Sequence, residues 1–326
     1  MQLDGRDAQA IAQAAQRLAA GELVAFPTET VYGLGARADS DAAVARVFEA
    51  KGRPSEHPLI VHVANADSAR GFSSGLPVPA QRLIDAFWPG PVTLIVPRAA
   101  GIAHAAAGGQ STIGLRCPAH PVALTLLAQC RQLGVPGVAA PSANLFGRIS
   151  PTRAEHVCAA FGESLLVLDG GDCQAGIESA IVDCSGAQPR LLRPGVLARA
   201  RLEQALGETL ADADASAPRA PGTLDAHYAP RAKLRLMPAA MLGAALNMLG
   251  PAPLRLAVYS RSLPAGAAPG VLQRRMPARP EAAAHELFAA LHEFDAWQAQ
   301  LIWVEEPPDG EEWDGVRDRL QRAAAS

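Results

Sequence analysis

Short apolar runs alternate along the chain with longer stretches whose apolar residues recur at helical spacing. The runs ELVAF, LIVHV, VTLIVP, STIGLR, PGVAAP, SLLVLD, SAIVDC and PRLLR have the length and composition of buried strands. Helical patterns fall between several of them, at 8–20, 41–50, 78–87, 121–132 and 152–161, the first two capped by Asp7 and by Asp39 or Ser40. This alternation predicts an α/β domain with a twisted, mixed sheet that ends near Gly207.

A second alternating block follows a stretch with no apolar face. Residues 208–220 are small, polar and rich in alanine, so we predict a linker over 208–230. Beyond it, KLRLM, PLRLAVYS and AQLIWVE alternate with helical patterns at 239–249, 280–297 and 313–325. The chain is therefore predicted to contain a first domain over 1–207 and a smaller, Rossmann-like α/β domain over 231–326. Since the second block has no GxGxxG motif, it is assigned no dinucleotide.

Composition narrows the class of protein. The formal net charge of -3 counts against a general nucleic-acid binder, which normally carries a basic excess. The five cysteines are widely spaced and form no CxxC pair, which favours reduced thiols over a disulfide framework or a zinc ribbon. The N-terminus has no secretory pattern and no apolar run reaches membrane-spanning length. We therefore expect a cytoplasmic protein without a membrane segment.

Polar and cationic residues gather where the predicted strands end. FPTETVYGLG follows the strand ELVAF, although a glycine-permitted turn capped by Thr28 accounts for that stretch equally well. In KGRPSEHPLIVHV, Lys51, Arg53 and His57 follow a helix, where basic residues often only complement the helix dipole. Two prolines stiffen this loop, however, and a stiff basic loop suits a fixed anion. In open α/β sheets, ligands bind at strand ends, so these loops are candidate binding segments.

A third loop and two arginines extend the anion-binding pattern. PSANLFGRISPT connects a strand to a helix and offers hydroxyl and backbone N–H groups, which suit phosphate. Arg116 and Arg193 each follow a strand and precede a proline. Together with Lys51 and Arg53, they predict a pocket for a polyanion such as a nucleoside triphosphate. GxxxxGK[ST] and HExxH are absent, and Ser142 does not lie in a GxSxG elbow, so P-loop, zinc-hydrolase and serine-hydrolase chemistries are poorly supported by the residues alone.

In order along residues 10–206, the motifs resemble those of the YrdC-like threonylcarbamoyl-AMP synthases. The motifs are FPTETVYGLG, KGRPSEHPLIVHV, WPGPVTLIVP, GLRCPAHP, PSANLFGRISPT, GIESAIVD and LRPG. PGTLDAHYAP and the second block are similar to the long, two-domain form, whose linker carries a tyrosine back over the active site. The resemblance implies a YrdC-like twisted mixed sheet and a nucleotidyltransferase that makes L-threonylcarbamoyladenylate and pyrophosphate from L-threonine, bicarbonate and ATP. A separate transferase complex would then modify the adenosine next to the anticodon in tRNAs that read ANN codons.

The resemblance also implies roles for individual residues. The catalytic tetrad falls on Lys51, Arg53, Ser142 and Asn144. Threonine would be bound by Thr30, His62, Arg116, Ala140 and Ser179. ATP would contact Arg53, His57, Thr112, Ser142, Ser150, Arg193 and Tyr228. Mg²⁺ is expected on the triphosphate rather than in an all-protein cage.

Some positions depart from the family pattern, and other functions stay open. Ala180 stands where the family commonly has threonine, and Ala220 where it has serine. The YGLG glycines are expected to form a tight turn, and His227 is expected to be a solvated linker residue rather than a lid contact. The main alternative is an RNA-binding or ribosome-associated module that uses the same basic concavity, against which the acidic charge balance counts. A carbamoyl-phosphate-using enzyme is a third possibility, and the sequence does not decide whether tRNA is bound directly.

Overall fold

The computed structural model describes residues 1–249, 255–262 and 270–326, which form two sheets flanked by helices. The first sheet has eleven strands in the order β1-β8-β2-β3-β7-β4-β6-β5-β9-β10-β11, with both parallel and antiparallel neighbours. Its strands are β1 (Gln2–Asp4), β2 (Val24–Phe26), β3 (Gly33–Arg37), β4 (Ile60–His62), β5 (Val92–Pro97), β6 (Thr112–Arg116), β7 (Val138–Ala139), β8 (Leu166–Asp169), β9 (Ala180–Asp183), β10 (Arg190–Arg193) and β11 (Ala211–Asp212). The predicted mixed sheet is confirmed.

The helices of this part are α1 (Ala8–Ala19), α2 (Asp41–Lys51), α3 (Ala66–Arg70), α4 (Val78–Phe87), α5 (Pro121–Gln132), α6 (Ala154–Phe161) and α7 (Arg199–Leu206). As predicted, the Asp7 carboxylate caps α1 by accepting from the amide of Gln9. The cap of α2 is Ser40, whose hydroxyl accepts from the amide of Ala43. The short helix α3 and the polar helix α7 were not predicted, because neither has a long apolar stripe.

The second sheet is fully parallel, with the order β12-β15-β13-β14. Its strands are β12 (Lys233–Met237), β13 (Leu256–Ser260), β14 (Val271–Arg275) and β15 (Leu301–Glu305), and its helices are α8 (Ala239–Met248), α9 (Pro280–Ala296) and α10 (Asp314–Ala324). This agrees with the predicted Rossmann-like α/β pattern. The predicted strand PLRLAVYS is found from Leu256 onward, and residues 253 and 254 lie outside the described residues.

The predicted linker begins within the first sheet. Leu210 is buried, and β11 pairs in parallel with β10. The chain then runs back across the first sheet, where Ala229 donates its amide to the carbonyl of Gly147 at 2.8 Å. The domain limits at 207 and 231 stay a prediction.

The expected turn at YGLG is wrong, because its last three residues, 33–35, begin β3. An added Cβ at Gly35 would lie 2.7 Å from Val138 and 2.8 Å from Phe26. Glycine is therefore needed here because neighbouring side chains approach the backbone closely, and not because the chain turns. The turn comes earlier, where the Thr28 hydroxyl accepts from the amides of Thr30 and Val31.

One hydrophobic cluster contains residues of both parts of the chain. Val31, Ile149 and Ile177, which lie in loops at the strand ends of the first sheet, pack in one cluster with Phe288 and Trp313 of the second part. The second part therefore lies directly against the loops that carry the candidate chemistry. All five cysteines are free thiols. No helix among the residues that the structure describes has both the length and the apolar character to cross a membrane.

Candidate active site

A buried cavity of about 50 Å³ lies where the strand-end loops of the first sheet meet. Several loops and strand ends contribute to its wall, although they are far apart in sequence. The predicted site residues that line it are Arg53, His62, Arg116, Ala140, Ser142, Ser179, Arg193 and Tyr228. The fold thus brings the proposed threonine-binding and ATP-binding side chains to one place.

Lys51 supports this cavity from behind its wall. It ends α2, and its ammonium group donates to the carbonyl of Ser142 at 2.6 Å and to that of Asn144. Burial lowers the pKa of Lys51 well below its usual value, and the nearby charge of Arg53 lowers it further. Asn144 donates its side-chain amide to the carbonyls of Leu145 and Arg148, while its Oδ1 is buried without a hydrogen-bond partner. The ammonium group therefore fixes the loop that carries Ser142 and Asn144.

Arg53 lies on the cavity surface. It donates from Nη2 to the carbonyl of Pro58 at 3.0 Å, and its guanidinium carbon lies 5.7 Å from the ring centre of Phe146. Burial lowers the pKa of Arg53 to about 10, so the side chain stays cationic at neutral pH. Its Nε is buried and unpartnered. Since an unmade hydrogen bond on a buried donor costs free energy, this nitrogen is a candidate contact for an anion.

Arg116 ends β6 and makes a buried ion pair with Glu29. Its Nη2 lies 2.7 Å from Oε1 of Glu29, and the two side chains are 4% and 7% exposed. The angles do not satisfy a hydrogen bond, so Nε and Nη2 of Arg116 both lack hydrogen-bond partners. These are the two nitrogens with which an arginine side chain commonly binds a carboxylate bidentately. Arg116 can therefore accept a carboxylate ligand while Glu29 partly balances its charge.

The remaining threonine-site candidates are close to Arg116 or just behind the wall. Thr28 lines the cavity, whereas Thr30 is fully buried and its hydroxyl lies 2.8 Å from that of Thr28. His62 packs edge-on against Phe26, and its Nδ1 is unpartnered. Burial and then the charge of Arg116 lower the pKa of His62 to about 3, so the imidazole is neutral at pH 7.

Residues 220–228, which we call the lid, cover the cavity. Arg193 donates to the carbonyl of Pro221 at 2.9 Å and also to the carbonyl of Ser179. Gly222 has a φ of +73°, and an added Cβ would lie 2.5 Å from the hydroxyl of Tyr228. The Tyr228 ring is buried, and its hydroxyl has no hydrogen-bond partner. The lid therefore lies tightly over the cavity.

The expectation that His227 is solvated is wrong. It is 6% exposed, lines the cavity and packs edge-on against the ring of Tyr228. Burial lowers its pKa to about 3. The local composition of the lid suggested exposure, and residues 224–226 are indeed exposed, but His227 is enclosed because it packs between the cavity and α10, where its amide donates to the carbonyl of Arg322.

Three predicted ATP contacts do not line this cavity. His57 stacks edge-on with Phe146, with ring centres 5.6 Å apart. Thr112 lines a smaller neighbouring cavity, together with Pro221 of the lid. The Ser150 hydroxyl is committed to a hydrogen bond with the carboxylate of Glu178. These residues surround the cavity without facing it directly.

Two buried carboxylates near the cavity, Glu29 and Glu178, were not predicted from the sequence. Glu29 lies within the PTET motif, and Glu178 lies within GIESA. Burial alone would raise the pKa of Glu178, but Arg319 and Arg193 outweigh it, so this pKa lies below its ordinary value. A charged residue inside a motif otherwise made of small, apolar and hydroxyl residues was the available signal, since a buried carboxylate needs a cationic partner. Ala180, the departure from the family pattern, is simply a buried residue of β9.

Family models match both parts of the chain. The Sua5–YciO–YrdC model, described as "Telomere recombination", matches residues 16–195. The model described as "Threonylcarbamoyl-AMP synthase, C-terminal domain" matches residues 197–325. The first match ends and the second begins between the end of β10 and the start of α7.

Individual proteins are similar over most of this length. A threonylcarbamoyl-AMP synthase of Bacillus subtilis is 38% identical over 324 residues, which is 96% of this chain and 92% of the relative. One of Pyrococcus abyssi is 42% identical over 220 residues, covering 66% of this chain and 64% of the relative. The crystal structure of P. abyssi Sua5 complexed with L-threonine has a TM-score of 0.88 and 32% identity, over 99% of this chain and 97% of that one. On these matches, the chain belongs to the Sua5–YciO–YrdC family and carries the C-terminal domain of its two-domain threonylcarbamoyl-AMP synthases.

Proposed function

We propose that this chain is an L-threonylcarbamoyladenylate synthase, a nucleotidyltransferase that uses L-threonine, bicarbonate and ATP. One observation carries the proposal: Arg116, whose Nε is unpartnered and whose Nη2 is ion-paired with Glu29 without a hydrogen bond, lines a cavity that Arg53 and Arg193 also line. One carboxylate and several phosphates are the groups that such an arrangement would bind. The names of the relatives, and the threonine complex of the P. abyssi protein, support the same assignment.

At the threonine end, Arg116 would bind the carboxylate through Nε and Nη2. The hydroxyl of Thr28, backed by that of Thr30, and the neutral imidazole of His62 lie on the same cavity and would bind polar groups of the amino acid. Ser179 and the backbone near Ala140 complete this end. A neutral His62 fits this role because it can donate and accept hydrogen bonds without repelling the substrate's ammonium group.

At the nucleotide end, cationic groups would stabilise the transferring phosphate. The threonine amine first takes up bicarbonate with loss of water, which gives a carbamate. An oxygen of the carbamate then attacks the α-phosphate of ATP, and pyrophosphate leaves. Arg53 and Arg193 would neutralise the developing charge, and Lys51 would hold the Ser142–Asn144 loop in place. Since the protein forms no covalent bond in this scheme, catalysis rests on positioning and charge.

Mg²⁺ would arrive with the triphosphate. Oxygen atoms are its preferred ligands, and it usually keeps several waters. The Oδ1 of Asn144 is buried and unpartnered, and Ser142 lines the cavity beside it. These two side chains fit an ATP-bound magnesium ion, whose positive charge would screen the phosphates during the attack of the carbamate.

The lid would have to move for ATP to bind. The cavity measures about 50 Å³, far below the roughly 300–1,000 Å³ of typical small-molecule sites. Displacing residues 220–228 would open it, and their return would exclude water from the labile product. That product would serve a separate threonylcarbamoyl transferase complex, which modifies the adenosine beside the anticodon of tRNAs that read ANN codons.

Pyrophosphate release from ATP tests this proposal. It should require both L-threonine and bicarbonate, and release that is indifferent to threonine would contradict the assignment. Arg53→Ala should reduce the rate by about 100-fold or more, because charge stabilisation in the transition state is lost. Arg46→Ala is the matched control, since Arg46 is exposed on α2 and binds only the carbonyl of Gly21 among the described residues. Salt-dependent RNA binding without turnover would instead favour the RNA-binding alternative.

A further inference from the structure

A fully buried arginine of the last helix contacts two residues of the cavity wall, Glu178 and Tyr228, from the second part of the chain. Arg319, on α10, is 0% exposed. Its Nε donates to Oε2 of Glu178 at 2.9 Å, and its Nη2 donates to the carbonyl of Glu178 at 3.0 Å. Its Nη1 donates to the carbonyl of Pro194 at 2.7 Å and to the carboxylate of Asp318. One side chain thus joins α10 to two segments of the first sheet that flank the cavity.

The same helix holds the lid. The guanidinium carbon of Arg319 lies 5.5 Å from the ring centre of Tyr228. Tyr228 has a φ of 63°, a conformation that a non-glycine residue keeps only when its surroundings impose it. One turn along α10, the carbonyl of Arg322 accepts a hydrogen bond from the amide of His227 at 3.2 Å. The side chain of Arg322 donates to the carbonyl of Leu224. The lid therefore contacts α10 at three residues, Leu224, His227 and Tyr228.

Glu178 connects this anchor to the cavity wall. One carboxylate oxygen accepts from Arg319, the other accepts from the hydroxyl of Ser150, and the residue lines the cavity. A carboxylate beside an incoming triphosphate repels it unless a cation balances its charge. Arg319 supplies that charge and fixes the carboxylate by two hydrogen bonds to the same residue.

We propose that Arg319 is a positioning residue through which the C-terminal part of the chain sets the ATP half of the active site. It holds Glu178 and the Tyr228 ring in place, and thereby keeps the lid over the nucleotide. The inference rests on the proposed function for its kinetic consequence. Its hydrogen bonds within the described ranges go to Glu178, Pro194 and Asp318, and Arg116 and Glu29 of the threonine end are not among them. An effect on ATP that spares threonine is therefore expected.

Kinetics of Arg319→Met, with Arg319→Lys and Arg317→Met beside it, test the inference. Arg317 lies on the same helix, but its hydrogen bonds go to Asp314, Pro308 and Gly310 within the second part. Arg319→Met should raise KM for ATP about tenfold, with KM for threonine changed by less than about threefold. Arg319→Lys should recover part of the effect, because it keeps the charge but not the paired N–H groups. Arg317→Met should change neither constant.

Equal increases in both KM values, or an unchanged KM for ATP in Arg319→Met, would overturn the inference. If Arg319→Met does not fold, Arg319→Lys decides, and a wild-type KM for ATP in that variant counts against the positioning role. Hydrogen exchange gives a readout that does not depend on turnover. The amides of His227 and Ala229 should exchange about tenfold faster in the Arg319 variants than in wild type or Arg317→Met. Unchanged lid protection would refute the anchor even if the enzyme assignment itself had failed.

Discussion

Replacing Arg116 by glutamine, alone and together with Glu29→Gln, separates its structural role from its proposed binding role. The two side chains are almost completely buried, and Nη2 lies 2.7 Å from Oε1. In the single variant the Glu29 carboxylate stays buried without its cation, and within the described residues its hydrogen-bond donor is the amide of Ala119. Leaving one partner of a buried ion pair without the other costs about 3–5 kcal/mol. Arg116→Gln should therefore lower the free energy of unfolding by that amount.

In the double variant no uncompensated charge remains. Since the cost in the single variant comes from the uncompensated buried charge, most of the stability should return when Glu29 is also made neutral. Threonine binding should not return with it, because both guanidinium donors are still missing. A hydrogen bond to a charged group contributes about 1.5–3 kcal/mol, and two at the lower end correspond to a roughly 150-fold weaker Kd.

Urea denaturation measures the free energy of unfolding, and calorimetric titration with L-threonine in the absence of ATP measures Kd. Arg46→Gln, at an exposed position on α2, is the control for loss of a positive charge. A double variant that binds threonine with the wild-type Kd would refute Arg116 as the carboxylate ligand. A single variant as stable as wild type would refute the argument that Glu29 depends on its cation.

Three further predictions concern Lys51, the histidine pair His156 and His292, and Gly222. Lys51→Met should lower kcat/KM about 100-fold, since the Ser142–Asn144 loop loses both of its ammonium hydrogen bonds. His156 and His292 stack with ring centres 3.8 Å apart, and burial lowers their pKa values to about 3 and about 4. The unfolded chain therefore binds more protons below its ordinary histidine pKa of about 6.5, and stability falls as pH drops from 6.5 toward 4. His156→Gln should reduce that slope by up to about 1.4 kcal/mol per pH unit in urea titrations. Gly222→Ala should raise KM for ATP about tenfold, because its Cβ would displace Tyr228.

Matched variants make these outcomes interpretable. Lys233→Met removes an exposed lysine of β12 and should leave kcat/KM unchanged, and equal losses in both lysine variants would contradict the role of Lys51. His104→Gln, at an exposed position, should keep the full pH slope, and a wild-type slope in His156→Gln would refute the account of its protonation. Gly134 has a φ of +77°, so Gly134→Ala introduces the same backbone strain as Gly222→Ala. Its added Cβ would have no atom within 4 Å, so KM for ATP should stay unchanged. A normal KM in Gly222→Ala would show that the lid accommodates the added methyl group.

Patterns within single segments predicted much of the fold. The apolar runs at β2, β5 and β8, the caps of α1 and α2, and the alternation of strands with helices all appear where the sequence indicated them. The same patterns predicted that cationic and hydroxyl side chains would lie at strand ends. The motif resemblance identified residues such as Arg53, Arg116 and Arg193, and the fold brings these three to one cavity. Each of these inferences depends on burial or on special residues within about ten positions, which is the range that periodicity reports.

Contacts between distant segments were decided only by the tertiary structure. The sequence did not show that Gly35 is required by the approach of Phe26 and Val138, nor that His227 would be enclosed. The partners of Glu29 and Glu178 are Arg116 and Arg319, and the second pair lies 141 residues apart. Local composition cannot reveal such pairs, because a charge is tolerated in a protein interior only through a partner that folding brings to it. The sequence by itself thus determined which groups are available for chemistry, and the packing of α10 and the lid against the first sheet decided how they are held.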